Sequence, residues 1–140
     1  MDLVVDASIA FKWLVTEADS IAAVSLLQNN NVVAPDVLLA ECRNAALTHV
    51  RRGTISIEQA KQAERDLEAL QLHTSPSVQL LTHAFTLALD LGHPIYDCIY
   101  LAAAISSGRI LVTADERFAA KVQRSPMVAD RIKLLADVRT

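Results

Sequence analysis

Four acids stand where a carboxylate is hard to dismiss as surface decoration. Asp6 directly follows the apolar run Leu3-Val4-Val5, and Asp115 follows Ile110-Leu111-Val112-Thr113 after a single alanine. In an open parallel sheet the ligand crevice lies beyond the carboxyl ends of the strands, so both acids share that edge if both runs are central strands. Glu41 has Leu38, Cys42 and Ala45 at i−3, i+1 and i+4, which sets it in an apolar row of a helix. Asp97 is the only charge between Pro94 and Ile105, a helix apolar nearly all round. Each acid also has a plainer reading. Asp6 ahead of Ala7-Ser8-Ile9 suits a helix N-cap, and Thr113 with Glu116 suits a capping box. Glu41 suits a salt bridge to Arg43, Arg51 or Arg109, and Asp97 suits an acid in a helix's first turn.

Together the four mean more than they do singly. Clustered carboxylates raise the cost of ionising one another, and a divalent cation is the commonest way to offset it. Hard oxygen ligands favour Mg²⁺ or Mn²⁺. Zinc is disfavoured because no His-x-x-x-His or cysteine-rich set exists, and His49, His73, His83 and His93 read as surface or helix-end residues. An acidic, metal-dependent pocket suits phosphodiester hydrolysis, since an anionic phosphate can enter only with a cation between it and the acids. Other phosphate chemistries fit less well. A haloacid-dehalogenase-type phosphatase needs a second Asp where Ser8 stands, a receiver domain needs a further acid pair, and the isolated Gly53, Gly92 and Gly108 form no phosphate-binding fingerprint. No nucleophilic triad is visible.

The elements that must position these acids are legible in outline. The 140 residues are 52% hydrophobic and 21% charged, the composition of one folded domain, 1–140, whose core needs no metal or disulfide staple. The formal charge of −3 excludes a grip on polyanions by bulk positive charge, and 4% aromatics leaves few stacking platforms for single strands. Strands are expected at Leu3–Val5, Val32–Ala34, Leu72–Thr74, Ile110–Thr113 and Ile132–Leu135. Helices are expected at Ser8–Leu14, Asp19–Gln28, Val37–Arg52 capped by Asp36, Ser56–Leu70 with a Ser56/Gln59 capping box, Ser75–Leu91, Pro94–Ser106 and Glu116–Gln123. The order β-α-α-β-α-α-β-α-α-β-α-β predicts an α/β fold, a parallel sheet of four to five strands between helices, with a helical hairpin at 37–70. Cys42 and Cys98 read as buried apolar thiols of a reducing cytoplasm, and neither a secretion signal nor a membrane span is expected.

At these residues the chain resembles a known family, the PIN-domain ribonucleases, and within them the VapC toxins of bacterial toxin–antitoxin pairs. Four blocks carry the resemblance in order between Val4 and about Val122: Val4-Val-Asp-Ala-Ser-Ile-Ala-Phe-Lys-Trp13, Leu39-Ala-Glu-Cys-Arg-Asn-Ala-Ala46, Ile95-Tyr-Asp-Cys-Ile-Tyr-Leu-Ala102 and Leu111-Val-Thr-Ala-Asp-Glu-Arg-Phe118. The resemblance implies a PIN-like fold in which Asp6, Glu41, Asp97 and Asp115 form a Mg²⁺ or Mn²⁺ pocket, with the hydroxyls of Ser8 and Thr113 nearby. Asp6 and Asp97 are expected as direct ligands, and Glu41 and Asp115 as ligands of a second ion or as groups orienting the attacking water. It further implies endonucleolytic RNA hydrolysis leaving 3′-hydroxyl and 5′-phosphate ends, a homodimer, and a VapB-like antitoxin partner. Lys12, Arg43, Arg117 and Lys121 are candidate RNA phosphate contacts, or else members of solvated helix faces. The competing readings are a PIN fold that binds RNA or protein without cutting, and a metal-dependent nuclease acting on another nucleic acid. Trp13 reads as a core aromatic.

Overall fold

The computed structural model describes residues 2–138. Its strands are β1 (Asp2–Val5), β2 (Asn31–Pro35), β3 (His73–Ser75), β4 (Ile110–Thr113) and β5 (Ile132–Leu134), and its helices α1 (Ala7–Leu14), α2 (Ser20–Asn29), α3 (Val37–Arg51), α4 (Ile57–Leu70), α5 (Leu81–Leu91), α6 (Ile95–Ser107) and α7 (Glu116–Gln123). The strands form one parallel sheet in the order β3-β2-β1-β4-β5. β1 and β4 are near-continuous apolar runs because both of their faces are covered, the usual signature of a central parallel strand.

The connectivity decides where ligands can enter. From β1 the chain steps outward to β2 and β3, then returns across the sheet to β4 and β5 on the other side of β1. With right-handed crossovers, α1 and α2 cover one face and α5, α6 and α7 the other. The packing agrees: α1 lies on β1 and β4, α2 on β2, and α6 on β1, β2 and β4. The reversal of strand order falls between β1 and β4, which places the crevice at their carboxyl ends. Helix α6 is buried continuously from Cys98 to Ala104 because it crosses the middle of the sheet, and α3 and α4 form the expected hairpin.

Two local expectations are corrected. Asp36 does not cap α3. Its Oδ1 accepts from the Ser77 amide at 3.0 Å while Ser77 Oγ accepts from the Val37 amide at 2.9 Å, so the carboxylate serves the next crossover instead. That docking also explains why α5 does not begin at Ser75: residues Ser77–Leu80 make a 3₁₀ turn first. The cap of α7 is Asp115, whose Oδ1 accepts from the Phe118 amide at 3.0 Å, and not Thr113. The Ser56/Gln59 capping box is present, Gly92 closes α5 in the left-handed conformation, and the Trp13 indole donates to Ala23 O at 2.8 Å beside the core. Among the described residues no helix is long and apolar enough to cross a membrane.

Candidate active site

Asp6 is placed by β1 and held by its neighbours. Val5 and Val112 are register partners, so the residues that follow them, Asp6 and Thr113, face each other across the crevice. Thr113 Oγ1 donates to Asp6 Oδ2 at 2.5 Å; Ser8 Oγ donates to Oδ1 at 2.5 Å, and the Ile9 amide to the same oxygen at 3.3 Å. The N-cap reading is therefore correct for Asp6, and the acid is also buried, with 5% exposure. Burial pushes its carboxyl from 3.8 to about 6; the bonds from Ser8, Thr113 and Ile9 oppose the rise, and the charge of Asp97 adds to it. Ser8 and Thr113 are thus brought to the acid as the resemblance implied, and Ser8 Oγ also accepts from the Ala114 amide at 3.0 Å.

The other three acids reach the same place from separate elements. Glu41 comes from the middle of α3, Asp97 from the first turn of α6, and Asp115 from the cap of α7. With Asp6, Ala7, Ser8, Asn44, Ala45 and Tyr100 they line one cavity of about 210 Å³. Glu41 makes none of the salt bridges open to it on paper. The buried Tyr100 hydroxyl donates to its Oε1, whereas Arg43 pairs with Glu64 and Glu68, Arg51 turns to Thr48, and Arg109 lies 3.9 Å from Asp2. Asp97 is bonded to His93 Nε2 at 2.6 Å. His93 stands between two helix ends, as expected, but it is no surface residue, its side chain being 12% exposed.

Tyr100, Asn44 and His93 were not foreseen as site residues. The first two carry a signal in hindsight, because Tyr100 is i+3 from Asp97 and Asn44 is i+3 from Glu41, on shared helix faces. Three of the four basic candidates have partners within the chain. Lys12 pairs with Asp19 at 2.7 Å and Glu17 at 3.6 Å, Arg43 with Glu64 at 2.6 Å and Glu68 at 2.5 Å, and Lys121 turns inward to Gly92 O and His93 Nδ1, both at 3.2 Å. Arg117 is exposed on α7 and makes no ion pair among the described residues. A separate cavity of about 510 Å³ lies between α3 and α4 beside Leu14 and is walled mainly by aliphatic groups, so its chemistry is not that of the acid cluster.

The donor set is suited to a hard divalent cation: four carboxylates around one cavity, one of them buried and charged at a cost that its hydrogen bonds do not remove. Among the described residues no three histidine, cysteine or acidic side chains yet converge on one ion position. Their oxygens are instead taken up by Ser8, Thr113, Tyr100, His93 and the Phe118 amide.

Comparison with known proteins bears on the family and the fold. The PIN domain family matches residues 3–123. Ribonuclease VapC3 of Pyrobaculum aerophilum is 34% identical over 126 residues, which is 86% of this chain and 95% of that protein. A crystal structure of another Pyrobaculum aerophilum protein superposes with a TM-score of 0.69 at 21% identity, covering 97% of this chain and 90% of its own. The VapBC2 structure from Rickettsia felis, bound to a DNA fragment from its promoter, superposes with a TM-score of 0.61 at 16% identity, covering 96% and 98%. These two likenesses carry the PIN-like fold.

Proposed function

This chain belongs to the PIN-domain family as a VapC-type ribonuclease toxin, and from that premise we propose that its four clustered carboxylates are the centre that cuts RNA. The observation that carries the reading is the convergence of Asp6, Glu41, Asp97 and Asp115, from four separate elements, on one cavity at the β1–β4 crevice. Asp6 and Asp97 are the groups that would hold the ion, because Asp6 is fixed on three sides and Asp97 is the acid whose charge reaches it. The ion is Mg²⁺, with Mn²⁺ as a substitute; when bound it supplies the positive charge that admits a phosphodiester among carboxylates and eases the ionisation of water.

The chain's own groups do the rest. Ser8 and Thr113 hold Asp6 so that its carboxylate cannot swing away from the crevice. Tyr100 holds Glu41 from behind by one oxygen, leaving the other to orient the attacking water, and Asp115 at the rim does the same or serves a second ion. Water attacks phosphorus in line and gives up one proton as the new phosphorus–oxygen bond forms; the bond to O3′ breaks, and that oxygen takes up a proton, balancing the one the water lost, to leave as the 3′-hydroxyl. Arg117, free on the face of α7, is the first choice for an RNA phosphate contact; Lys12, Arg43 and Lys121 would have to exchange partners first.

The partner is a VapB-like antitoxin, as in the VapBC2 complex; the toxin is a homodimer and acts on RNA in the cytoplasm. End analysis of the cleaved RNA tests the chemistry. Fragments that accept ligation at a 5′-phosphate without prior kinase treatment fit the proposal, whereas 2′,3′-cyclic phosphate ends would mean attack by the ribose 2′-hydroxyl and no role for an oriented water.

A further inference from the structure

One group of side chains beside the cavity is not used by the chemistry above. His93 lies between Gly92, which closes α5 in the left-handed conformation, and Pro94, which leads into α6. Its ring rests on the buried Phe118 of α7, with centroids 4.6 Å apart. Nε2 is 2.6 Å from Asp97 Oδ2, and Nδ1 is 3.2 Å from Lys121 Nζ, which also donates to Gly92 O at 3.2 Å. An ammonium group has hydrogens and no lone pair, so it can only donate. Nδ1 must then accept, and the imidazole proton sits on Nε2, directed at the carboxylate. The contacts run in one line from α7 to the first turn of α6: Lys121 sets the tautomer, and the tautomer commits Oδ2 of Asp97.

Helix capping does not account for this arrangement. Asp97 is the third residue of α6, and its carboxylate accepts from a side chain and not from the amides of the first turn. Its side chain is 35% exposed, so without His93 it would rotate freely at the rim. We propose that His93, held by Lys121, is a positioning residue that fixes the Asp97 carboxylate by engaging Oδ2, which leaves Oδ1 as the oxygen that would bind the ion. The inference rests on the reading of Asp97 as an ion ligand. Hydrogen bonds behind a ligand of this kind orient it and typically change metal affinity by about 10- to 100-fold when removed. It also gives Lys121 an inward task in place of an RNA contact.

The test measures Mn²⁺ binding to the purified protein by electron paramagnetic resonance, with no RNA present, for the wild type, Asp97→Asn, His93→Ala, His93→Gln and Lys121→Met. His93→Ala is expected to weaken Mn²⁺ by about 10- to 100-fold, with partial recovery on adding free imidazole, and Lys121→Met by several-fold. His93→Gln, which keeps a donor, retains more affinity than His93→Ala and covers the case in which loss of the Phe118 contact unfolds the alanine variant. In two-bond nitrogen–proton NMR spectra His93 should show the Nε2–H form, and Lys121→Met should mix the tautomers. If Asp97→Asn loses Mn²⁺ while His93→Ala and His93→Gln bind it within twofold of wild type, the positioning role is overturned. If Asp97→Asn binds Mn²⁺ as tightly as wild type, the assignment of Asp97 itself fails and the proposal falls with it.

Discussion

Thr113 Oγ1 donates to Asp6 Oδ2 across the crevice between β1 and β4, joining residues 107 apart in sequence through a 2.5 Å bond. The register of the sheet makes this bond possible, since Val5 and Val112 are already paired one position earlier. Asp115 is part of the same link: its amide donates to Thr113 Oγ1 at 3.0 Å, so the hydroxyl accepts from one acidic residue's backbone while donating to another's carboxylate.

Thr113→Val keeps the shape of this fully buried side chain and removes the donor. In EDTA at pH 7.5 the expected loss is about 1–3 kcal/mol, read from urea unfolding, because a buried charge loses one of its bonds. The loss should shrink toward pH 4, where Asp6 is protonated. An equal loss at both pH values would place the effect in packing alone.

The raised carboxyl of Asp6 predicts a pH signature with a definite sign. Folding holds that proton more tightly than the unfolded chain does, so its contribution to stability is complete below about pH 4 and is lost as pH rises through about 6. Above that range the ion-free protein forgoes roughly 3 kcal/mol. Excess Mg²⁺ should therefore raise the unfolding temperature most above pH 6.5 and very little near pH 4.5. Stabilisation by Mg²⁺ that is constant across this range would remove Asp6 from the ion site.

Tyr100→Phe separates a supported Glu41 from an unsupported one. The expected result is a folded protein, destabilised by no more than about 2 kcal/mol, whose cleavage rate falls about tenfold because Glu41 loses the donor that orients it. Glu41→Gln should lower the rate further. A Tyr100→Phe enzyme as fast as wild type would show that Glu41 needs no such support.

The basic residues should divide by their partners. Arg117→Ala is expected to weaken RNA binding and to reduce the slope of log affinity against log salt by about one. Arg43→Ala loses its pairing with Glu64 and Glu68, which are exposed, so it should cost less than about 1 kcal/mol of stability and leave RNA binding unchanged. Filter binding at three salt concentrations distinguishes the two patterns.

Much of this was legible along the chain because the governing signals are local. Continuous apolar runs mark β1 and β4, Ser56 with Gln59 marks the start of α4, and Gly92 marks the end of α5. The four acids were legible for the same reason, as charges at strand ends or inside apolar helical rows. What escaped was set by contacts remote in sequence. Asp36 looks like a cap until Ser77, 41 residues on, takes its carboxylate. Glu41 looks like half of a salt bridge until Tyr100, 59 residues on, arrives from α6. His93 is only four residues from Asp97, but it falls between two helices and outside any apolar row, and the contacts that hold its ring come from α7, 25 and 28 residues on.

Whether the acid cluster cuts RNA is decided by cleavage of an end-labelled pool of cellular RNA with purified, antitoxin-free protein. Wild type and Asp97→Asn are compared in Mg²⁺ and in EDTA, with circular dichroism confirming that both are folded. Discrete cuts by the wild type are expected in Mg²⁺ and none in EDTA, with at least a hundredfold loss, on the order of 3 kcal/mol of transition-state stabilisation, for Asp97→Asn. Cutting that survives either EDTA or the loss of the Asp97 charge would contradict that role of the acid cluster.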